Sequence, residues 1–302
     1  MSASTKRSVF VAGCRGQLGH DVMATLARTH TVTGADLPEF DIASPESVVA
    51  VLGAANPQRV LNCAAYTNVD RCETDREAAR RVNVEGPRLL AQYAEAHGAW
   101  LLHVSTDYVF DGTRPAPEPY AETDEPRPET YYGVSKLEGE VAVRQTTDRH
   151  IIVRTAWLYG ANGHNFLKTM LRLALANPDK VIRVVNDQHG CPTWSWRLAL
   201  QLKSLIAKGK KGVYHATGEG HCTWYELAST FLRLMNVPHR IEPCTTAEYP
   251  LPAQRPQNSI LANARLKAEG LHVMRHWTDD LTEFVQRHRE ALLAEAQAKL
   301  AK

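Results

Sequence analysis

From residue 8 to residue 155, short apolar runs alternate with longer stretches in which apolar positions recur every three to four residues. The runs "SVFVAG", "HTVTGAD", "RVLNCAA", "WLLHVST" and "HIIVRTA" predict buried strands. Between them, 17–28, 73–97 and 132–145 carry helical spacing. Repeated strand–helix alternation predicts an α/β fold of the doubly wound type, a parallel sheet with helices on both faces. The second half is less regular. Helical patterns cover 164–176, 194–207 and 224–235, among the aromatic-rich turns "PTWSW" and "HCTWYE". A proline-rich loop, "EYPLPAQRPQN", then precedes a charged helix from about residue 278. There are no internal repeats, and segments of the second half are free to return and extend the first sheet.

Composition changes this picture little. The 302 residues suffice for one large domain or two modest ones, and 44% hydrophobic with 23% charged content is ordinary for a soluble globular chain. A formal charge of +2 supplies no general attraction to nucleic acid or an anionic membrane, so neither is expected as a partner. The six cysteines show no C-x-x-C spacing and suggest no disulfide framework. The apolar run in "MSASTKRSVFVAG" is too short for a signal-peptide core, and no run of about 18 apolar residues occurs. A cytoplasmic protein is expected.

Candidate chemistry sits at the strand ends. "VFVAGCRGQLG" leads a strand into Gly13-x-x-Gly16-x-x-Gly19 and then a helix. Glycines there permit a tight turn and close approach of the backbone to a pyrophosphate, whose charge a helix N-terminus favours; a plain turn is the alternative. Asp36 ends the second strand, 17 residues beyond Gly19 and about where a ribose-binding carboxylate is expected, or it is a helix cap or loop aspartate. "LNCAAYTNVD" ends its strand in small residues, leaving room for a flat ligand or simply forming a tight junction. "HVSTDYVFDG" sets Ser105, Thr106 and Asp107 at a strand's carboxyl end, where open α/β sheets bind ligands, although the same triplet is ordinary turn chemistry. In "YYGVSKLEGE", helical stacking puts Tyr132 over Lys136, four positions on, and Tyr131 over Ser135. Asn83, in "RVNVEG", reads equally as a cap, a solvent-facing residue or a catalytic group.

Together these features resemble the extended short-chain dehydrogenase/reductases and, within them, the dTDP-4-dehydrorhamnose reductase family. The resembling stretches are "GQLG", "NCAAYTNVD", "STDYVFDG", "YGVSKLEGE", "RTAWLYG", "NFLKTMLRLA", "VVNDQHGCPT" and "RPQNSIL", in order from residue 16 to 261. The resemblance implies an NAD(P)-binding Rossmann domain over 1–158 and a smaller α/β substrate domain over 159–302, parts of which rejoin the Rossmann sheet. It implies NADPH or NADH held by Gly13, Arg15, Gly16, Gln17, Leu18, Gly19, Asp36, Asp41, Ile42, Ala64, Ala65, Tyr66, Thr67, Tyr132 and Lys136. It implies a small-molecule nucleotide sugar facing Thr106, Asp107, Tyr132 and Trp157, with Asn165, Asp187 and Arg255 completing that side. Matching glutamates for a metal-bridged assembly are not found, so no metal is expected, while a homodimer is left open.

The implied reaction reduces a C4 ketone of a dTDP-linked 4-keto-6-deoxy sugar, with Thr106, Tyr132 and Lys136 catalytic. A proton donor is needed where hydride arrival puts charge on the carbonyl oxygen. An ammonium beside Tyr132 is expected to favour its phenolate, and the family likeness adds nicotinamide-ribose binding to Lys136. Three alternatives stay open. A dehydratase would carry Asp-Glu after the threonine, where Asp107 and Tyr108 stand here. An epimerase would retain its NAD. A regulatory subunit resembling that of methionine adenosyltransferase would not turn over ketone at all. The proline-dense "TRPAPEPYAETDEPRPET" is expected to be a lid or an exposed loop.

Overall fold

The computed structural model describes residues 7–301. Strands β1 (Ser8–Ala12), β2 (Thr31–Ala35), β3 (Arg59–Asn62), β4 (Trp100–Thr106) and β5 (His150–Thr155) coincide with the five apolar runs. Later in the chain come β6 (Leu158–Tyr159), β7 (Val181–Val185), β8 (His189–Gly190), β9 (Thr193–Trp194), β10 (Gly212–His215), β11 (Cys222–Thr223) and β12 (Arg240–Cys244). The main sheet has the order β10-β5-β4-β3-β1-β2 and is parallel throughout. Its sixth strand, β10, belongs to the second half of the chain.

Why the runs are continuous rather than alternating is visible in β1. Val9 and Val11 enter one core with Leu18, Val22 and Leu26, whereas Phe10 and Ala12 enter another with Phe40, Val48 and Leu52. Both faces are therefore dry, as a parallel sheet requires. The helices α1 (Gln17–Leu26), α2 (Pro45–Ala55), α3 (Val69–Thr74), α4 (Arg76–Arg80), α5 (Gly86–His97) and α6 (Tyr131–Thr146) belong to the first half. The second half supplies α7 (Phe166–Ala176), α8 (Ser195–Lys208), α9 (Trp224–Met235), α10 (Ala264–Ala268) and α11 (Trp277–Leu300). Helices α1 and α8 cover one face of the sheet; α2, α5 and α6 cover the other. A third core joins α7, α9 and α11 around Tyr159, Trp194 and Phe284.

One expectation changes. The helical pattern over 73–97 is a series of pieces: Asn68 caps α3, Asp75 caps α4, and a π-helical turn over Arg81–Glu85 leads into α5. Pro87 has no N–H to give the Asn83 carbonyl, so a regular α-turn would lose a bond here. The proline-dense segment is a largely exposed loop, one of the two readings expected, and it is pinned at one point. Tyr120 is buried, stacks on Phe110 at 4.5 Å, and exchanges backbone bonds with Ile260 and Ala262.

Candidate active site

β1 enters a turn at Gly13, whose φ of 74° lies in the left-handed region. A Cβ there would come within 2.8 Å of the Ala64 amide nitrogen, so the loop lies against the Ala64–Thr67 segment only because position 13 has no side chain. Gly16 is the N-cap of α1; it supplies no side-chain cap, and the first turn, Gln17 to Gly19, holds no acidic residue. The uncapped amides and the close backbone form a cradle suited to a dinucleotide pyrophosphate. Asp36 stands at the end of β2, where its carboxylate accepts from the Arg15 amide (3.1 Å) and the Leu37 amide (2.9 Å). The Arg15 guanidinium is held by Glu39 (2.7 Å) and the Leu37 carbonyl (3.0 Å). Asp41 pairs with Arg81 and accepts from the Ala43 amide, while Ile42 is buried against Gly86.

Asn83 is nearly fully buried. It accepts from the Tyr66 amide (2.8 Å) and donates to the Tyr66 carbonyl and the Ser135 hydroxyl, both at 3.0 Å. It therefore ties the 64–67 segment to α6, a structural use that its polar residue type within a helical pattern did not single out.

Thr130 caps α6 through the Gly133 amide. One turn along the helix, Tyr132 and Lys136 are both buried on the side facing β4. Lys136 Nζ donates to the Val104 carbonyl at 2.8 Å, and desolvation draws its pKa down to about 8, with Glu140 opposing. Burial pushes the Tyr132 phenol well above the usual tyrosine value and Asp107 adds to this, while the Thr106 hydroxyl opposes it. The Lys136 ammonium is turned to the strand carbonyl. Thr106 donates to Asp107 Oδ1 (2.9 Å) and accepts from the Tyr108 amide (3.3 Å). Asp107 Oδ2 is buried without a partner; the nearby Ser259 hydroxyl is committed to the His189 carbonyl (3.3 Å). Burial raises the Asp107 pKa to about 6. Tyr131 instead lies under Arg76, 4.8 Å from its ring centre, and is only partly buried beside Tyr132.

Tyr108 packs edge-on against Tyr132 at 5.5 Å and lines a cleft of about 590 Å³. Phe166, Met170, Trp224, Tyr249 and Leu251 give that cleft an apolar wall, and Arg183 and Arg255 add charge. Arg255 is anchored by Asp70 at 2.8 Å. Asp187 reaches the cleft indirectly by holding Thr246 through its amide and hydroxyl. Trp157 stands behind the wall: it stacks on Trp224 at 3.5 Å and donates to Ser259 (3.1 Å), with an unusual positive φ of 45°. Asn165 caps α7 and donates to Gln17 Oε1 (2.8 Å), so it lies at the glycine loop. Trp224, Phe166, Tyr108 and Asp70 were not assigned to the site from sequence; the signals were the aromatic density of "HCTWYE" and the resembling stretches "NFLKTMLRLA", "STDYVFDG" and "NCAAYTNVD", which contain the other three.

A strand-end Thr-Asp pair, a buried Tyr–Lys turn and a glycine cradle on one parallel sheet form the arrangement that the resemblance to extended short-chain dehydrogenase/reductases implied. Residues 7–290 match the family profile described as the RmlD substrate binding domain. The chain is 43% identical over 291 residues to a dTDP-4-dehydrorhamnose reductase of Streptomyces griseus, covering 94% of each. It is 40% identical over 280 residues to a probable dTDP-4,6-dihydroxy-2-methyloxan-3-one 4-ketoreductase of Streptomyces antibioticus, covering 90% of this chain and 92% of that one. The structure of dTDP-4-dehydrorhamnose reductase from Bacillus anthracis in complex with NADP superposes with a TM-score of 0.89 at 36% identity, covering 93% of this chain and 99% of that one. The chain belongs to the dTDP-4-dehydrorhamnose reductase family.

Proposed function

We propose that this protein reduces the C4 ketone of a dTDP-linked 4-keto-6-deoxy sugar with NADPH or NADH, and that the pair served best is dTDP-4-dehydro-L-rhamnose and dTDP-L-rhamnose. The observation that carries the reading is the meeting of Thr106, Asp107, Tyr132 and Lys136 beside both the glycine cradle and the aromatic cleft. The glycine cradle, Asp36 and Lys136 would hold the dinucleotide, which when bound would supply hydride for C4. Tyr132 acts as proton donor to the carbonyl oxygen, and burial suits it to that direction by keeping the phenol protonated through neutral pH. Lys136 favours the phenolate left behind and, by family likeness, ligates the nicotinamide ribose. Thr106 orients the carbonyl, and the orphaned Asp107 Oδ2 offers an acceptor to a sugar hydroxyl. Trp224 and Phe166 suit the flat and apolar parts of the nucleotide sugar.

The test is oxidation of NADPH and NADH with dTDP-4-dehydrorhamnose, against its UDP- and GDP-linked analogues and the ketone implied by the Streptomyces antibioticus relative. Fastest turnover of the dTDP-rhamnose precursor is expected. No turnover of any dTDP-linked ketone, or faster turnover of a UDP- or GDP-linked one, overturns the reading. The free thiols suit a reducing cytoplasm, which belongs to the same reading. A homodimer does too; sedimentation velocity decides it.

No helix among the described residues is long and apolar enough to cross a membrane.

A further inference from the structure

Helical stacking does not stop at Lys136: four positions on is Glu140, the third member of a file on the inner side of α6. Glu140 and Arg154 are both almost fully buried and form a two-pronged ion pair, Nε to Oε1 at 2.8 Å and Nη2 to Oε2 at 2.7 Å. Glu140 Oε1 also accepts from the Ser105 hydroxyl at 2.7 Å. Ser105 stands between Val104, whose carbonyl receives the Lys136 ammonium, and Thr106. Three consecutive residues of β4 are therefore tied into the same small volume as the tyrosine–lysine turn.

We propose that Glu140 is a positioning residue for the reduction: its carboxylate clamps α6 to β4 and β5 and keeps the Lys136 ammonium charged inside the core. The inference rests on the assignment of Tyr132 and Lys136 as the catalytic pair. A buried ammonium is opposed by desolvation, and a nearby carboxylate is what offsets it. The charged or titratable groups around Lys136 are few: Tyr132 and Glu140 on its own helix, Cys63 after β3, His103 on β4 and Arg154 on β5. Burial keeps His103 neutral and Cys63 a thiol at working pH. Asp107, which follows β4, is the second buried carboxylate of the cluster and lies toward Thr106 and Tyr132; Glu140 is the carboxylate on the lysine's own helix, and Arg154 attenuates it.

This arrangement makes two substitutions act in opposite directions. kcat/KM for the cofactor reports groups of the free enzyme, and its alkaline limb is assigned to Lys136 because the Tyr132 phenol titrates far higher. Glu140→Gln removes the supporting charge and leaves Arg154 bare, so the limb should move to lower pH by about one unit. Arg154→Met leaves Glu140 free to act on the lysine, so the limb should move to higher pH by a similar amount. A purely structural ion pair would lower activity in both variants without opposite displacements. If Glu140→Gln does not fold, Arg154→Met alone decides: an upward limb supports the inference, and an unmoved or downward limb overturns it. If both fold, displacements of the same sign, or none, overturn it. Lys136→Met separates this from the underlying assignment. An active Lys136→Met enzyme with a normal pH profile removes the lysine from catalysis. An inactive one, beside unmoved limbs in the other two variants, removes only the role of Glu140.

Discussion

Tyr131 and Tyr132 are neighbours in the chain that share an apolar cluster but differ in burial, Tyr132 alone being buried, which gives a direct test of the acid. Tyr132→Phe should lower kcat by roughly 10²–10⁴ with cofactor affinity little changed, the range for losing one general acid. Tyr131 packs beneath Arg76, so Tyr131→Phe should cost far less; steady-state kinetics of the two side by side would expose a wrong assignment if their order reversed. Cofactor choice is expected to rest on single side chains. Asp36 suits the 2′-hydroxyl of NADH, and Arg15 could pair with the 2′-phosphate of NADPH only by leaving Glu39, its exposed partner. Exposed ion pairs contribute little, so both cofactors should work, with selectivity below about a hundredfold. Asp36→Ala should shift the ratio of catalytic efficiencies toward NADPH and Arg15→Ala toward NADH. Glu39→Gln, by releasing Arg15, should favour NADPH by up to roughly fivefold. Reverse shifts would put the ribose elsewhere.

Among the elements, α6 is the one whose placement the chemistry depends on, and its small residues set its distance from its neighbours. A Cβ at Gly133 would overlap the Tyr108 carbonyl, and one at Gly139 would overlap the carbonyl of Asn83 in the π-helical turn. The helix is therefore seated between the turn that follows Thr106 and the turn that holds the cofactor-side segment. Gly139→Ala should cost about 1–3 kcal/mol of stability through overpacking. It should also lower kcat by roughly 10- to 100-fold, because displacement of about 1 Å is enough to misplace reacting groups. Gly53→Ala is the control: it lies within α2 with open space around it, and should stabilise the fold by about 0.5–1 kcal/mol without altering kcat. Thermal unfolding and single-turnover rates on both variants check the pair; equal kinetic losses would mean that α6 tolerates displacement.

For the molecule as a whole, the site has a cost in stability. Burial raises the Asp107 pKa to about 6 from 3.8, so between those values the folded chain holds more protons than the unfolded chain. Stability contributed by this group accordingly falls as pH rises through that window, and the penalty is complete above it. Asp107→Asn should therefore gain on wild type between pH 4 and pH 7 by on the order of 2 kcal/mol in unfolding free energy, while losing activity. A difference that does not grow with pH would show that the carboxylate finds a partner. The site also exists only because the two halves of the chain close on one another: His20 meets Asn162, Gln17 meets Asn165 and Asp21 meets Ser195. Periodicity along the chain determined the parallel sheet, most of its helices and the stacking of Tyr132 over Lys136, because strand and helix repeats are local and act within a few residues. The same local rule read 73–97 as one helix, since the π-turn at Asn83 answers to Pro87 and to the helix packed across it. Only the tertiary structure decided that Asp70 anchors Arg255 from 185 residues away, that Trp157 braces Trp224, that β10 completes the sheet and that Glu140 faces Arg154. These contacts join residues whose own spacing carries no period, and their partners are chosen by which surfaces burial brings together.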